Sequence, residues 1–228
     1  LLGKFFEGND LTFVNFYGTG RERFPSCKLP DSLRFLILKS VHNSSFNCVF
    51  KLKNLNSLDL SGNGLKHLNI SEMNGLTRLY ASNNSLVSFS TNMPANLELL
   101  DISKNKLKSV PSFSDDQKKL LCLDLKDNRI VGGLEQVSKL NNIIALDVRN
   151  NNFSGIVPNV KMLKSLIFFG VSGSGFNINQ SRKESHFPPQ LEFHQNNFQE
   201  LQATLEDSKC YSISVGTTIE YFDHLRPY

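Results

Sequence analysis

LELLDISKN (97–105), LLCLDLKDN (120–128) and IIALDVRNN (143–151) are three copies of one nine-residue pattern, Leu-x-x-Leu-x-Leu-x-x-Asn. The same pattern reads LNSLDLSGN at 55–63 and LTRLYASNN at 76–84, so five consecutive units keep one register. Weaker copies extend the series in both directions, with starts at Leu11, Leu33, Leu166 and Leu191. Successive starts lie 21 to 25 residues apart, and a period of this length predicts a stack of repeated coils.

The spacing of the leucines explains how such coils hold together. In an extended segment the fourth and sixth residues of the pattern point to one side, and the residues between them point to the other. One unit cannot enclose its own apolar side chains, but units stacked at the ~4.8 Å strand spacing line those side chains into one core. We therefore expect a parallel sheet with one strand from each unit. So short a unit leaves little room for a helix on the outer side, which favours turns and 3₁₀ segments there.

An asparagine closes each of the cleanest units, at the point where the chain must turn after its strand. A side-chain amide at a turn can satisfy backbone donors and acceptors that neither sheet nor helix covers. We therefore interpret this column as structural. Its members are Asn63, Asn84, Asn105, Asn128 and Asn151.

This spine of leucine and asparagine resembles the leucine-rich repeat family. The resemblance implies an α/β leucine-rich repeat solenoid, curved, with short parallel strands on the concave face and turns or 3₁₀ segments on the convex face. We assign 11–178 to the solenoid, with about seven to eight repeats, and 1–10 to an N-terminal cap or a truncated upstream repeat. Residues 179–228 form a C-terminal capping region, in which 197–207 has helical spacing and 211–215 alternates like a strand.

The stretch IIALDVRNNNFSGIVPNV (143–160) is similar to the plant extracellular subtype, whose repeats carry F/L-S-G-x-I/V-P after the asparagine. This similarity implies a receptor ectodomain or secreted binding protein, a non-enzymatic recognition module that takes a protein or peptide ligand on its concave face. Two alternatives stay open. One is an intracellular scaffold or pathogen effector, and the other is a structural fragment of a larger assembly or receptor.

The candidate ligand-binding residues lie in the columns that should face away from the core. Several of them form an apolar run: Leu99, Leu121, Ile144, Ala145, Ile167 and Phe168. Such a run marks an interface, or it is covered by a C-terminal segment that folds back, and the sequence does not decide between the two. A second apolar cluster has Phe13, Tyr17, Phe35 and Ile37, where a missing upstream repeat is an equally good explanation. The polar candidates are Arg78, Tyr80, Asp101, Asp124, Asp147 and Arg149.

The aspartates of the fifth column, which also include Asp59, could attract a basic ligand or Ca²⁺. We favour a structural role, because the wording "LDL" is common in such repeats and basic residues stand nearby. We expect no metal or other cofactor. The pair His186 and His194 is better explained by solvated loops than by a metal site.

Four cysteines occur, and no pair has C-x-x-C spacing, which argues against a zinc site. Cys27 and Cys48 lie at nearly equal offsets in adjacent units, and coils ~4.8 Å apart suit the ~4.4 to 6.8 Å Cα separation of a disulfide. We predict a Cys27–Cys48 bridge, the alternative being two small apolar residues in one buried column. Cys122 is a free thiol, or it pairs with Cys210 if the C-terminal segment folds back.

Further signals concern compartment and function class. Glycosylation sequons stand at Asn43, Asn69, Asn83, Asn152 and Asn179 and lean towards an extracellular or cell-surface location, with the cytoplasm as the alternative. Signatures of metalloproteases, P-loop enzymes and serine hydrolases are missing, so we predict no enzyme. The net charge of +4 is spread along the chain, which disfavours nucleic acid. The apolar runs fall far short of the ~20 residues of a membrane span, so we predict no transmembrane segment in this chain.

Overall fold

A computed structural model describes residues 10–19, 24, 28–41, 46–90, 92–177, 181 and 210. Eight strands of these residues form one parallel sheet: β1 (Phe13–Tyr17), β2 (Phe35–Lys39), β3 (Ser57–Asp59), β5 (Arg78–Tyr80), β7 (Leu99–Asp101), β8 (Cys122–Asp124), β9 (Ala145–Asp147) and β10 (Phe168–Gly170). The short strands β4 (His67–Leu68) and β6 (Ser88–Phe89) pair with each other. Two 3₁₀ segments, Val49–Lys51 and Leu134–Lys139, lie between strands of the large sheet.

The register of the sheet is the register of the sequence repeat. Phe13 pairs with Phe35, and Leu99 pairs with Cys122, so the third residue of each unit stands beside the third residue of the next. Every neighbouring pair in the large sheet is parallel and follows the order of the chain. The predicted leucine-rich repeat solenoid, with strands on one side and turns or 3₁₀ segments on the other, is therefore confirmed.

The core lies on the side of the sheet that carries the fourth and sixth residues of each unit. The fourth column is fully buried along the middle of the stack, at Leu58, Leu79, Leu100, Leu123 and Leu146. The same cluster runs continuously from Val14 to Phe169. Each coil buries its row of leucines against the neighbouring coils. A unit of this length is therefore stable only in a stack.

The asparagine column forms a ladder of hydrogen bonds to the backbone. Asn105 Nδ2 donates to the carbonyls of Ile102 and Ser103 in its own turn, at 3.1 and 2.9 Å, and to Ala81 O in the preceding coil, at 3.0 Å. Its Oδ1 accepts from Leu86 N–H at 2.9 Å. The other four asparagines also donate to a backbone carbonyl of the preceding coil, so the column links each turn to its neighbour.

The residues directly before the asparagines form a second column, which has a left-handed backbone conformation. The repeat pattern did not predict this conformation. Its φ angles lie between +52° and +72° in seven consecutive coils. Glycine adopts this conformation without strain and asparagine or aspartate with little, which fits most of the column. Serine and lysine are the unfavourable members. The residues are Ser40, Gly62, Asn83, Lys104, Asp127, Asn150 and Gly173.

The end units of the described stack lack the asparagine. Val41 stands in its place in the second unit and donates its N–H to Asn63 Oδ1 at 2.7 Å. Ser174 stands there in the last unit, and its buried Oγ has no hydrogen-bond partner. Apart from Asp10, Ser181 and Cys210, the two predicted caps lie outside the described residues, as do the helix expected at 197–207 and the strand expected at 211–215.

Candidate functional site

The sheet face opposite the core carries the third and fifth residues of each unit, and we call it the concave face. At one end, on β1 and β2, its aromatic side chains meet water. Phe13, Tyr17 and Phe35 are 38%, 50% and 37% exposed. We call this end the open half, which coincides with the second apolar cluster of the sequence except that Ile37 is buried.

Charged groups frame the aromatic side chains of the open half. Lys39 Nζ lies 5.5 Å from the centroid of the Tyr17 ring and 3.1 Å from Asp59 Oδ2. The ammonium group of such a lysine lies over the ring, where the aromatic face attracts the cation. The open half is therefore an apolar surface with a polar margin.

Arg78 and Tyr80 lie on β5, between the open half and the rest of the face. Arg78 stands in register with Ser57 and Leu99, and Tyr80 with Asp59 and Asp101. Both side chains are partly buried, and Tyr80 packs against the apolar residues that follow. The strand therefore marks the boundary between two different environments on one face.

Beyond this boundary the concave face is buried, and we call this end, from β7 to β10, the covered half. Its third column, Leu99, Cys122, Ala145 and Phe168, forms an apolar cluster with Cys210. This cluster lies across the sheet from the main core and is separate from it. Cys210 is itself fully buried.

A disulfide joins Cys122 to Cys210, with a Cα–Cα distance of 5.4 Å across 88 residues of sequence. Of the residues beyond the repeats, Cys210 is the described one that packs on this apolar run. Leu99 and Phe168 are buried and do not face water as their columns alone suggested. Partly buried side chains flank the cluster, namely Leu121, Ile144 and Ile167.

The fifth-column carboxylates serve the turns that follow their strands. Asp101 Oδ1 accepts hydrogen bonds from the backbone N–H and the hydroxyl of Ser103, at 3.0 and 2.7 Å. Asp59, Asp124 and Asp147 accept the equivalent backbone N–H two residues on. All four are buried, although their column faces away from the core. Repetition of one such bond in four coils supports a structural role.

Burial changes the ionisation of two of these carboxyl groups, Asp101 and Asp124. Desolvation raises the pKa of Asp101 from 3.8 to about 6, although the hydrogen bonds from Ser103 lower it. Desolvation also raises the pKa of Asp124 well above its usual value, and the neighbouring charges of Asp101 and Asp147 raise it further. Asp101 Oδ2 has no hydrogen-bond partner. The column thus holds adjacent carboxyl groups whose charged forms are disfavoured.

Asp147 differs from its neighbours because Arg149 neutralises it. Arg149 binds both carboxylate oxygens through Nε, each at 2.9 Å, and through Nη2. The guanidinium also lies 5.7 Å from the centroid of the Phe168 ring. Gly170 leaves the room for this pair, since a Cβ there would lie 2.7 Å from Asp147 Oδ1. Arg149 was among the candidate residues predicted from the sequence, whereas Gly170 was not.

No group of three metal-ligating side chains suited to an ion occurs within the described part of the chain. His186 and His194 fall outside it. Helices long and apolar enough to cross a bilayer are likewise not found among the described residues.

The remaining modification candidates are only partly within the described residues. Cys48 is disulfide-bonded, while Cys27 lies outside them, so the Cys27–Cys48 pairing stays a prediction. Three sequon asparagines, Asn69, Asn83 and Asn152, are exposed. Asn43 and Asn179 also fall outside the described residues.

Comparison with known proteins agrees with this geometry. A family model described as Leucine Rich Repeat matches residues 54–76, which contain the unit LNSLDLSGN. No curated protein sequence matches the chain.

Solved structures with the same fold come from different kinds of protein. The functional domain of InlJ from Listeria monocytogenes, which includes a cysteine ladder, aligns over 72% of this chain at 21% identity and a TM-score of 0.58. The structure of PEPR1 with AtPEP1 aligns over 64% at 27% identity and a TM-score of 0.54. TLR13 in complex with ssRNA13 aligns over 65% at 24% identity and a TM-score of 0.53.

The chain spans only part of these proteins, namely 39% of the InlJ chain, 22% of PEPR1 and 23% of TLR13. The likeness shows the leucine-rich repeat fold.

Proposed function

We propose that this chain, a leucine-rich repeat solenoid, is a non-enzymatic recognition module that binds a protein or peptide ligand outside the cell. Solenoids of this fold are typical protein-interaction modules, because the stacked strands present a wide and rigid face. The proposal places the ligand on the open half of the concave face.

The observation that carries the proposal is the exposure of three aromatic side chains on adjacent strands. Exposed apolar clusters with a polar margin mark interaction sites, and aromatic residues supply a large share of interface energy. Phe13 and Phe35 are direct partners across β1 and β2, and Tyr17 lies on the same face of β1. Because strand pairing fixes their backbones, they would bind without ordering a loop. Arg78 and Tyr80 extend this surface towards the covered half.

The extracellular location rests on the cysteines. Cys122, Cys210 and Cys48 are all in disulfides. Such bonds persist in oxidising compartments and are rare in the cytosol. The exposed sequons fit the same compartment, and together these features favour it over an intracellular scaffold.

A binding experiment tests the surface. We would capture partners with the purified chain from its native surroundings, identify them by mass spectrometry, and measure affinity by calorimetry. The double variant Phe13→Ala and Phe35→Ala should weaken binding at least about tenfold, because truncating central aromatic residues commonly costs that much.

Met162→Ala is the matched control, since Met162 is an exposed apolar residue away from the large sheet. It should leave the affinity unchanged. Equal affinity of the double variant and this control, with both folded, would refute the open half as the binding surface.

The compartment has its own test. Protein from the native source should change electrophoretic mobility after reduction and again after enzymatic deglycosylation. An unchanged mobility in both treatments would instead support the cytoplasmic alternative.

A further inference from the structure

We infer that a cluster of cations on one side of the solenoid is a docking surface for a sulfated polysaccharide. We call this cluster the basic patch, and its members are Lys104, Lys106, Lys108, Lys126 and Arg129. They lie after strands β7 and β8, in the turns that leave the large sheet. The basic patch is separate from the open half. It rests on the proposed function only for the extracellular location, where such polymers occur.

Three lysines of the basic patch project from one side of a single turn. Lys104, Lys106 and Lys108 are exposed, whereas Asn105 and Leu107 between them are buried. This alternation places the three ammonium groups on the solvent side of one short stretch. The buried residues hold its backbone, because Asn105 belongs to the ladder and Leu107 donates its N–H to the asparagine of the next coil at 3.1 Å. The lysines are therefore presented from a fixed backbone.

The next coil brings two more cations to the same place. Lys104 N–H donates to Lys126 O at 2.8 Å, and Arg129 N–H donates to Leu107 O at 2.9 Å. Since adjacent coils lie ~4.8 Å apart, residues one repeat apart in the sequence become neighbours in space. Arg129 is exposed and Lys126 is half-buried. Stacking thus gathers into one patch the charges that the sequence spreads along the chain.

The carboxylate within the basic patch does not cancel its charge. Asp127 is the only acidic residue in the stretches 104–109 and 126–132. It is already engaged, since its Oδ1 accepts from Asn150 Nδ2 at 2.7 Å and its Oδ2 lies 3.9 Å from Lys126 Nζ. Five cations against one carboxylate leave a surplus of four, as large as the formal charge of the whole chain, +4.

The surroundings of the basic patch leave this surplus in place. Among the described residues, no carboxylate forms an ion pair with Lys106, Lys108 or Arg129. The same turn of the coil before reads NNSLV (83–87), and that of the coil after reads NNNFS (150–154), so neither contributes a charge. A local positive potential of this kind attracts a polyanion, whose binding releases condensed counterions.

The residue types of the basic patch favour sulfate as the anion. Four of its five cations are lysines. A lysine ammonium is a point charge that donates in several directions, whereas the planar guanidinium of arginine matches the two oxygens of a carboxylate. A sulfate ester spreads its charge over three oxygens that point in different directions. A polymer that repeats this group meets several lysines at once, and the linkage turns weak single contacts into a measurable affinity.

Two other polyanions fit the basic patch less well. Proteins bind single-stranded nucleic acid with aromatic side chains on which the bases stack, and 104–109 and 126–132 contain none. An anionic membrane surface calls for a broad apolar face beside the cations. Val131 is the only exposed apolar side chain of these two stretches. A hydrophilic polymer needs neither feature.

The test measures binding of heparin, a sulfated polysaccharide, to the purified chain by calorimetry at ~0.15 M salt. The triple variant Lys106→Gln, Lys108→Gln and Arg129→Gln should bind at least about tenfold more weakly. Its affinity should also depend less on salt, with a slope of log affinity against log salt smaller by about 2, if each lost contact counts as a phosphate contact does in nucleic acids. Circular dichroism should show an intact solenoid, because the three side chains are exposed.

The triple variant Lys53→Gln, Lys118→Gln and Lys161→Gln is the matched control. It removes the same charge from exposed lysines outside the two stretches, and it should bind heparin nearly as the wild type does. Equal loss of affinity in both triple variants would overturn the inference, because net charge and not the basic patch would then bind heparin. Undiminished binding by the patch variant, or no binding by the wild type, would overturn it too.

Three further probes identify the anion. They are desulfated heparin, which keeps its carboxylates, single-stranded DNA, and vesicles that contain phosphatidylserine. Each should bind the wild type at least about tenfold more weakly than heparin does. Binding of any of the three as tight as that of heparin would refute a sulfated polysaccharide as the partner.

The protein or peptide ligand of the open half takes no part in these measurements. The double variant Phe13→Ala and Phe35→Ala should bind heparin as the wild type does. Failure at the basic patch is therefore distinguishable from failure of the proposed function, since different variants and different ligands score the two.

Discussion

Replacing Asp101 by asparagine should make the protein more stable at neutral pH and leave it nearly unchanged in acid. Asparagine has the shape of the protonated carboxyl group and can keep the hydrogen bonds from Ser103 to its Oδ1. It carries no charge to be desolvated. The substitution therefore removes one cost of the folded state, the ionisation of a carboxyl group that is fully buried.

The sign and size of the change in unfolding free energy follow from the raised pKa of Asp101. Because the folded protein binds the proton of Asp101 more tightly than the unfolded chain does, this group stabilises the fold fully below the unfolded pKa and loses that effect as pH rises. A pKa raised from 3.8 to about 6 places the loss between those two pH values. The shift corresponds to about 3 kcal/mol by pH 7. Asp101→Asn should recover this amount, and relief of repulsion on Asp124 adds to it in the same direction.

The assay is urea unfolding from pH 3.5 to 7.5 for wild type and variant, followed by circular dichroism. The difference in unfolding free energy should be near zero below pH 4 and grow to about 3 kcal/mol at pH 7. Asp116→Asn is the control for removing one negative charge, because Asp116 is exposed. A difference that is independent of pH, or a variant less stable at pH 7, would refute the argument from burial.

Three other outcomes follow from the turns and the surface. Asn105→Ala should lower the unfolding free energy by about 3 kcal/mol, since three carbonyls each lose one of two donors and the buried N–H of Leu86 loses its acceptor. Asn142→Ala removes one exposed hydrogen bond and should cost under about 1.5 kcal/mol. Lys104→Gly should raise the unfolding free energy by about 0.5 to 1 kcal/mol, because glycine adopts the left-handed conformation of this position without strain. Lys106 does not have the left-handed conformation, so Lys106→Gly should lower the unfolding free energy. A change of the unfolding free energy in the same direction for both glycine variants would contradict backbone strain at Lys104. In a secreted preparation, glycopeptide mass spectrometry should find glycans at the exposed sequons, and unmodified peptides there would count against secretion.

The repeat made most of the fold predictable from sequence. Leu58 and Leu79 occupy equivalent places in a repeated unit, so one expectation about strand direction and about burial of the fourth residue holds for each of the eight described units. The asparagine ladder was predictable for the same reason, because its partners are backbone groups fixed by the coil. The left-handed column carried a signal as well, since glycine, asparagine and aspartate recur there, but Ser40 and Lys104 obscured it.

The state of the concave face was not predictable, because it depends on contacts outside the repeat. Cys210 lies 88 residues from Cys122 and beyond the last clear unit, so no periodicity reports where it packs. The burial of Asp101 and Asp124 was not predictable either, because their column faces away from the core in any single coil. The sequence left open whether the apolar run is exposed or covered, and the structure shows Leu99 and Phe168 buried in one cluster with Cys210.

The asparagine ladder has a direction. Asn84 donates to Leu60 O and accepts from the backbone N–H of Leu65, both in the coil before it, and the later asparagines reach backwards in the same way. Within the ladder, the turn of each coil is therefore completed by the asparagine of the coil that follows it. During synthesis a turn would gain these hydrogen bonds only after the next coil has left the ribosome.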